Sequence, residues 1–324
     1  DELTQRRLPL IYSDLTPGNS HALTASLASF LPADLRKTLT LPPTSPAVPL
    51  PPAHHLVYFN PAVPAEELLP DGTDPLQSPG EPFVRRMWAG GHVAFNPSAP
   101  QFELNGARAV CVEKVRTANF KGYVGAENVY VGIERRMGYV KEGESEEQLR
   151  ERLWGETEDD WRDAVCRERR NLVFLRGRTK YEAYAEMVKA EAEKNSKKIL
   201  RPLTPPTFSH TLTPTPSLLF RYSALTFNAH SIHLDPEYCR TVEGYRGMLV
   251  HGPLTLTLLM ALLNGHIGPG KRVTWLGYRN LMPLYCNEPI KLCGIKAERE
   301  SSDGVEKYEI WAETPEGGYA VKGA

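Results

Sequence analysis

The most uniformly apolar stretch of the chain is Pro253–Leu263, where Leu254, Leu256, Leu258, Leu259, Met260, Leu262 and Leu263 leave almost no polar side. A helix that is apolar all round is buried all round, so the pattern predicts a central core helix. After it, Arg272–Tyr278, Pro289–Ala297 and Glu306–Glu313 read as strands. A buried helix followed by such strands predicts a curved antiparallel sheet wrapped around it. The first half repeats the order. Ala22, Leu23, Leu27 and Phe30 fall at helical spacing in Pro17–Phe30, with Thr16 or Ser20 as cap. From Gly91 to Arg176 the pattern turns to strands, most clearly Ala109–Val112, Tyr130–Ile133 and Leu172–Leu175. Two similar halves follow from this order, although no short-period repeat is visible.

Between these elements, Leu41–Pro82 is proline-rich and predicts extended loops. Within it, His55–Phe59 reads as a short strand. Glu142–Trp161 is acidic and polar, which predicts a solvated insertion. Tyr181–Lys198 is rich in Ala, Glu and Lys and predicts an exposed linker helix. A second proline-rich stretch, Pro202–Pro216, marks a boundary between a first unit, residues 1–200, and a second, residues 201–324.

Composition narrows the function. Hydrophobic residues make up 41% and charged residues 24%, a globular balance over 324 residues. With 38 basic and 39 acidic residues the chain has no basic excess, which argues against nucleic acid as a partner. No apolar run approaches the ~20 residues that span a bilayer, so no membrane partner is expected. Five cysteines without a CxxC pair point to buried free thiols in a reducing compartment, not to disulfides or a cysteine zinc site.

Candidate chemistry gathers in the second half. The segment Phe220–Asp235 carries Asn228, His230 and His233, and His251 stands before Gly252-Pro253 at the start of the apolar helix. Histidine titrates near neutrality and suits proton transfer. His230 and His233 form an HxxH, but the helical HExxH motif is absent, the segment does not read convincingly as helix, and no third ligand has a characteristic spacing; no metal and no cofactor are expected. Pro253 fits the first turn of a helix, and the free amides and dipole at a helix start favour negative charge. A thioester carbonyl placed at Gly252 would be polarised toward its enolate, with a histidine beside it to move the proton.

These residues resemble the MaoC-like (R)-specific enoyl-CoA hydratases and hydroxyacyl-thioester dehydratases of the hot-dog fold. Their usual signature is Asp, Asn two residues on, then Pro, then His five residues after the Asp. Here Asn228 stands at the Asp position, His230 at the Asn, Ser231 at the Pro, and His233 matches the His. FRYSALTFNAHSIHLDPEY, EGYRGMLVHGPL and YRNLMPL, with Arg85–Gly91 and Asn171–Arg176 in the first half, are similar to the branch holding mesaconyl-C4-CoA hydratase-like proteins and fungal type 2 dehydratase homologues.

The resemblance implies an α+β double hot-dog, two units each with a long helix wrapped by a curved antiparallel sheet, the catalytic unit C-terminal. It implies a hydro-lyase acting on an acyl-CoA or acyl carrier protein thioester in mitochondria or cytoplasm, with exposed sheet edges that invite a homodimer. His233 would be the general base or acid, Gly252 the donor to the thioester oxygen, and Asn228 and His230 further catalytic groups. An amide at 228 cannot carry a proton as a carboxyl can, which throws more of the chemistry onto His233. His251, Trp88, Arg86, Tyr278 and Arg279 are the expected substrate-binding residues, and Asp235 a loop cap. Two other readings stay open: a fungal tailoring enzyme acting on a non-CoA polyketide- or dicarboxylate-derived substrate, and a non-catalytic thioester-binding scaffold.

Overall fold

A computed structural model describes residues 2–36, 38–123, 125–192, 199–297 and 304–324. Its centre is one ten-stranded antiparallel sheet. The first five strands are β1 (Ile11–Asp14), β2 (Arg85–Phe95), β3 (Arg108–Lys121), β4 (Asn128–Tyr139) and β5 (Cys166–Leu175). The second five are β6 (Phe208–Leu212), β7 (Trp275–Asn280), β8 (Ile290–Lys296), β9 (Tyr308–Glu313) and β10 (Tyr319–Gly323). They lie in the order β1-β3-β4-β5-β2-β7-β10-β9-β8-β6. Each half therefore runs first-third-fourth-fifth-second, mirrored across the β2–β7 pair. This is an α+β double hot-dog.

The halves meet where Gly90 pairs with Arg279 and Gly91 with Tyr278. A side chain at Gly90 would strike the Tyr278 carbonyl, and one at Gly91 the Arg169 carbonyl. Both glycines hold positive φ, 139° and 156°, a region of backbone space that suits glycine. The register of β2 against β5 shifts between Trp88 and Gly90, a bulge that re-aims the side chains before it. Trp88 is thereby set into the cavity described below.

The helix predicted over Pro253–Leu263 runs Gly252–Asn264 and is buried along most of its length. That over Pro17–Phe30 runs Pro17–Leu27 with a 3-10 turn, Ala28–Phe30, after it. Its positional counterpart in the second half is Pro216–Leu225: each follows the first strand of its half and opens on Thr-Pro. The latter helix covers part of the segment that did not read as helix, because Thr215 caps it through the Leu218 amide and Leu218, Leu219 and Tyr222 bury one face. Between its helix and β2, where the second half places Gly252–Asn264, the first half has among the described residues a long loop with the short 3-10 turns Ala33–Leu35 and Ala65–Glu67 and, between them, the 3-10 turn His54–Val57. That turn replaces the strand predicted over His55–Phe59. All four of its residues are buried and Ala53 before it is left-handed, so packing overrides strand propensity.

The supposed insertion Glu142–Trp161 is also not all loop. Ser145 and Gln148 form a reciprocal capping box on the helix Glu146–Leu153. Leu149 and Leu153 then pack under Val110 and Val112 of β3. The charged helix runs Lys180–Ala192, and the rest of its predicted span, 193–198, lies outside the described residues. One apolar core joins both halves, from Leu15, Leu23 and Leu27 to Leu254, Leu258 and Met260. Among the described residues no helix is long and apolar enough to cross a membrane.

Candidate active site

A cavity of about 690 Å³ opens between the halves. The first half supplies the loop from Asn60 to Gln77, with Arg86, Trp88, Arg170 and Leu172. The second supplies Tyr222, Ser223, Asn228, His230, His233, Gly252 and Asn280.

His233 ends a 3-10 turn, Ser231–His233, and is buried. Its Nδ1–H donates to the Leu249 carbonyl at 2.8 Å. Leu249 is itself held by its amide on the Ile232 carbonyl and by a bridge to Tyr285. With Nδ1 so engaged, the neutral ring keeps its lone pair on Nε2, which makes no hydrogen bond among the described residues. His251 stacks on the His233 ring at 3.6 Å and 22°. His251 is fully buried, pairs through Nε2 with the Ser223 hydroxyl at 2.8 Å, and stands at the N-cap position of the helix Gly252–Asn264 without a side-chain capping bond. It does not line the cavity; it holds the ring that does. Gly252 follows as the first helical residue and faces the cavity. Its amide lies in the first turn, where no intrahelical acceptor exists.

His230 stands nearly perpendicular to His233, ring centres 5.6 Å apart. Asn228 lies on the cavity wall, and its Oδ1 accepts from the His230 amide at 3.0 Å. That bond shapes the loop and leaves the carboxamide nitrogen for a ligand.

Burial lowers the proton affinity of all three histidines. His233 is brought down to about 4, with the Leu249 bond opposing the shift. Burial, then His233 and Arg86, hold His230 well below its usual value; burial, then His233 and His230, do the same to His251. Folded, the rings are neutral near pH 7, whereas unfolded histidine protonates near 6.5. Their contribution to stability is therefore fully present above about 6.5 and lost as pH falls toward 4. Thermal midpoints should drop over that window, His233 alone accounting for something on the order of 3 kcal/mol. A His233→Ala protein should show a shallower decline in the same melts.

The other expected binding residues divide. Trp88 lines the cavity, with Nε1–H on the Tyr278 hydroxyl at 2.8 Å; Tyr278 is buried behind it. Arg86 lines the cavity and donates to the Asp74 carbonyl at 2.6 Å. Arg279 points out of β7 into solvent and does not reach the cavity. Arg85, beside Arg86, is a buried structural pair with Glu243 at 2.7 Å. Asp235 caps the next turn through the amides of Glu237 and Tyr238. No group of three or more His, Cys, Asp or Glu among the described residues forms a metal-ligand set.

Sequence reasoning passed over Ser223, Asp71, Asn280 and Arg170. Asn280 Nδ2 donates to the Trp88 carbonyl at 2.7 Å and sits against Gly252, its Oδ1 buried without a partner. Arg170 lies over the Trp88 ring at 4.8 Å. Nothing local distinguishes any of the four; Asp71-Gly72, for one, reads only as a turn.

Residues 53–286 match the family model for hydroxyacyl-thioester dehydratase type 2. The chain belongs to that family. A mitochondrial hydroxyacyl-thioester dehydratase type 2 from Schizosaccharomyces pombe is 28% identical over 250 residues, 75% of this chain and 77% of the yeast protein. A mesaconyl-C(4)-CoA hydratase from Chloroflexus aurantiacus is 39% identical over 113 residues, covering 35% of this chain and 37% of its own. The fold is shared with a MaoC-like dehydratase from Phytophthora capsici, TM-score 0.63 at 13% identity, over all of this chain and 96% of that one. Family membership and the names of these relatives support a hydro-lyase of the dehydratase or hydratase kind.

Proposed function

We propose that this protein adds water reversibly across the 2,3-double bond of a 2-enoyl thioester, with His233 as the proton-transfer group. The observation that carries the reading is that His233, whose Nε2 has no hydrogen-bond partner among the described residues, and Gly252, whose amide lies in the first turn of a helix, line the same cavity. Water gives a proton to Nε2 as its oxygen bonds to C3. The π pair moves onto C2 and the thioester carbonyl, whose oxygen is held by the Gly252 N–H. C2 then takes the proton back from Nε2, the carbonyl reforms, and His233 returns to its starting state. Dehydration is the same path reversed.

The carrier is a CoA or acyl carrier protein arm, and the name of the Schizosaccharomyces pombe relative favours a mitochondrial setting. For the acyl group the walls favour an apolar chain. Leu56, Val63, Leu68, Leu172 and Leu284 line the space, while Glu168 already matches Arg170 through two hydrogen bonds. A second reading, a dicarboxylic acyl group of the mesaconyl kind, is favoured by Arg86, which is held by the Asp74 backbone and stands 3.9 Å from its carboxylate.

Incubation in H₂¹⁸O with crotonyl-CoA, trans-2-octenoyl-CoA and mesaconyl-C4-CoA tests this. Label at C3 of the 3-hydroxyacyl product is expected, with kcat/KM at least about tenfold higher for octenoyl than for mesaconyl substrate, on the order of one or two buried methylenes. The opposite preference would select the dicarboxylic reading. Absence of label from all three thioesters, with folded protein, would sink the proposal.

A further inference from the structure

Asp71 belongs to the first-half loop and is buried, 3% exposed. Its two carboxylate oxygens have different surroundings. Oδ1 accepts from the Thr73 amide at 2.9 Å and the Thr73 hydroxyl at 2.5 Å. Oδ2 is buried with no hydrogen bond, and 3.5 Å from it lies His230 Nε2, also buried with no hydrogen bond. A buried acceptor and a buried potential donor, each without a partner, thus face one another across slightly more than a hydrogen bond. Leaving either unmade costs about 1–3 kcal/mol, and catalytic contacts that are long in a free enzyme tighten once substrate is bound.

The pairing is held from both sides. The Ser231 amide donates to the Asp71 carbonyl at 2.8 Å, tying the loop of the first half to the turn that bears His233. Gly72, with φ of 82°, lies so close under Ala229 that any side chain would strike the Ala229 carbonyl. Asp71 does not line the cavity, whereas His230 does. The carboxylate therefore sits behind the imidazole, on the side away from substrate.

We infer that Asp71 is the positioning residue of His230, fixing its tautomer so that His230 and His233 together hold the attacking water. This rests on the hydratase reading above. With Nε2–H given to Asp71, the neutral ring keeps its lone pair on Nδ1, which makes no hydrogen bond among the described residues. His233 presents its own lone pair on Nε2. Two acceptors on nearly perpendicular rings take the two hydrogens of one water and turn its oxygen toward C3. Asn228 Oδ1 accepts from the His230 amide, and a carboxamide cannot take up and return a proton as an imidazole can. The charged or titratable groups that interact with His230 include Asp71, His233, Arg86 and His251.

Asp71→Asn isolates the proposal. Asparagine keeps the Oδ1 acceptor that Thr73 uses, so the turn survives, but it turns an NH₂ toward His230 and demands the other tautomer. The ¹⁵N resonances of His230, assigned by their loss in His230→Gln, report the tautomer without reference to turnover. The wild-type protein should show Nε2–H and Asp71→Asn should show Nδ1–H. In octenoyl-CoA hydration kcat should fall by about 10²-fold, as expected for a general-base site whose partner ring is in the wrong tautomer, with KM within about threefold. A wild-type Nδ1–H tautomer overturns the inference, as does an Asp71→Asn protein that keeps kcat within about threefold. If the wild-type enzyme hydrates no thioester, the hydratase reading fails, and the tautomer measurement still decides whether Asp71 sets the state of His230.

Discussion

A His233→Ala protein should fold and should hydrate its enoyl thioester at least about 10²-fold more slowly, the ordinary contribution of a positioned general base. The loss should fall on kcat, since the thioester oxygen still meets Gly252 and the acyl chain still meets Leu56, Leu68 and Leu172. Folding should survive because His233 is joined to the scaffold by one ring hydrogen bond, to Leu249, and by stacking on His251. Removing the ring leaves His251 with its Ser223 bond and the helix start undisturbed. His233→Gln is the companion variant, because it refills the volume without restoring a group that cycles a proton. Far-ultraviolet circular dichroism with steady-state kinetics on both proteins checks the prediction. Unchanged turnover in folded His233→Ala would remove His233 from the chemistry.

The largest effect on stability is expected away from the histidines, at Glu168. Its carboxylate is wholly buried and takes Arg135 at 2.8 Å on one side and Arg170 at 2.8 and 2.9 Å on the other. Arg135 is also fully buried and reaches Glu113 at 2.9 Å, and Gln77 from the cavity loop closes on Glu113. Burial would raise the Glu168 pKa, but Arg170 and then Arg135 outweigh it and bring it down to about 2. Glu168→Ala leaves Arg170, on the cavity wall, without its carboxylate and leaves the fully buried Arg135 with Glu113 alone. That kind of loss costs about 3–5 kcal/mol. The urea midpoint at pH 7 should fall accordingly; a change equivalent to less than about 1 kcal/mol would contradict it. The sign with pH follows from the depressed value. The pairing contributes fully above the unfolded carboxylate's pKa, about 4.3, and is lost as pH falls through about 2. The acid limb of wild-type stability below about pH 4 should thus be flattened in the variant.

Both predictions bear on how the cavity is shaped. Arg170 stacks over Trp88, and Trp88 is placed by the bulge before Gly90. The ion network is thus part of the wall, and its loss should loosen the same surface that receives the acyl chain.

Much of this was legible in the chain. The helix Gly252–Asn264, the glycine at its start and most of the longer strands showed in hydrophobic patterning, because period and propensity are local properties. The hydratase signature was legible too, with its departure at Asn228. The turn His54–Val57 and the helix Glu146–Leu153 were misread. The first carries strand-forming residues that tertiary packing folds into a turn. The second carries charges on three sides, while two leucines alone provide its buried face. β10, short and set among glycines, gave no pattern long enough to read.

By itself the sequence determined most of the strands of both halves and the buried helix opening at Gly252, but not the loop that stands in the first half where a second long helix was expected. Those outcomes depend on contacts between neighbours along the chain. Only the tertiary structure decided that His251 stacks on His233, that Ser223 holds it, and that Asp71 from the other half faces His230. It also decided that Glu168, Arg135 and Arg170 neutralise one another under the cavity. Apart from Glu168 and Arg170, two residues apart on β5, these contacts join residues far apart in sequence through burial and the need to satisfy a buried polar group, and neither demand leaves a periodic trace in the chain.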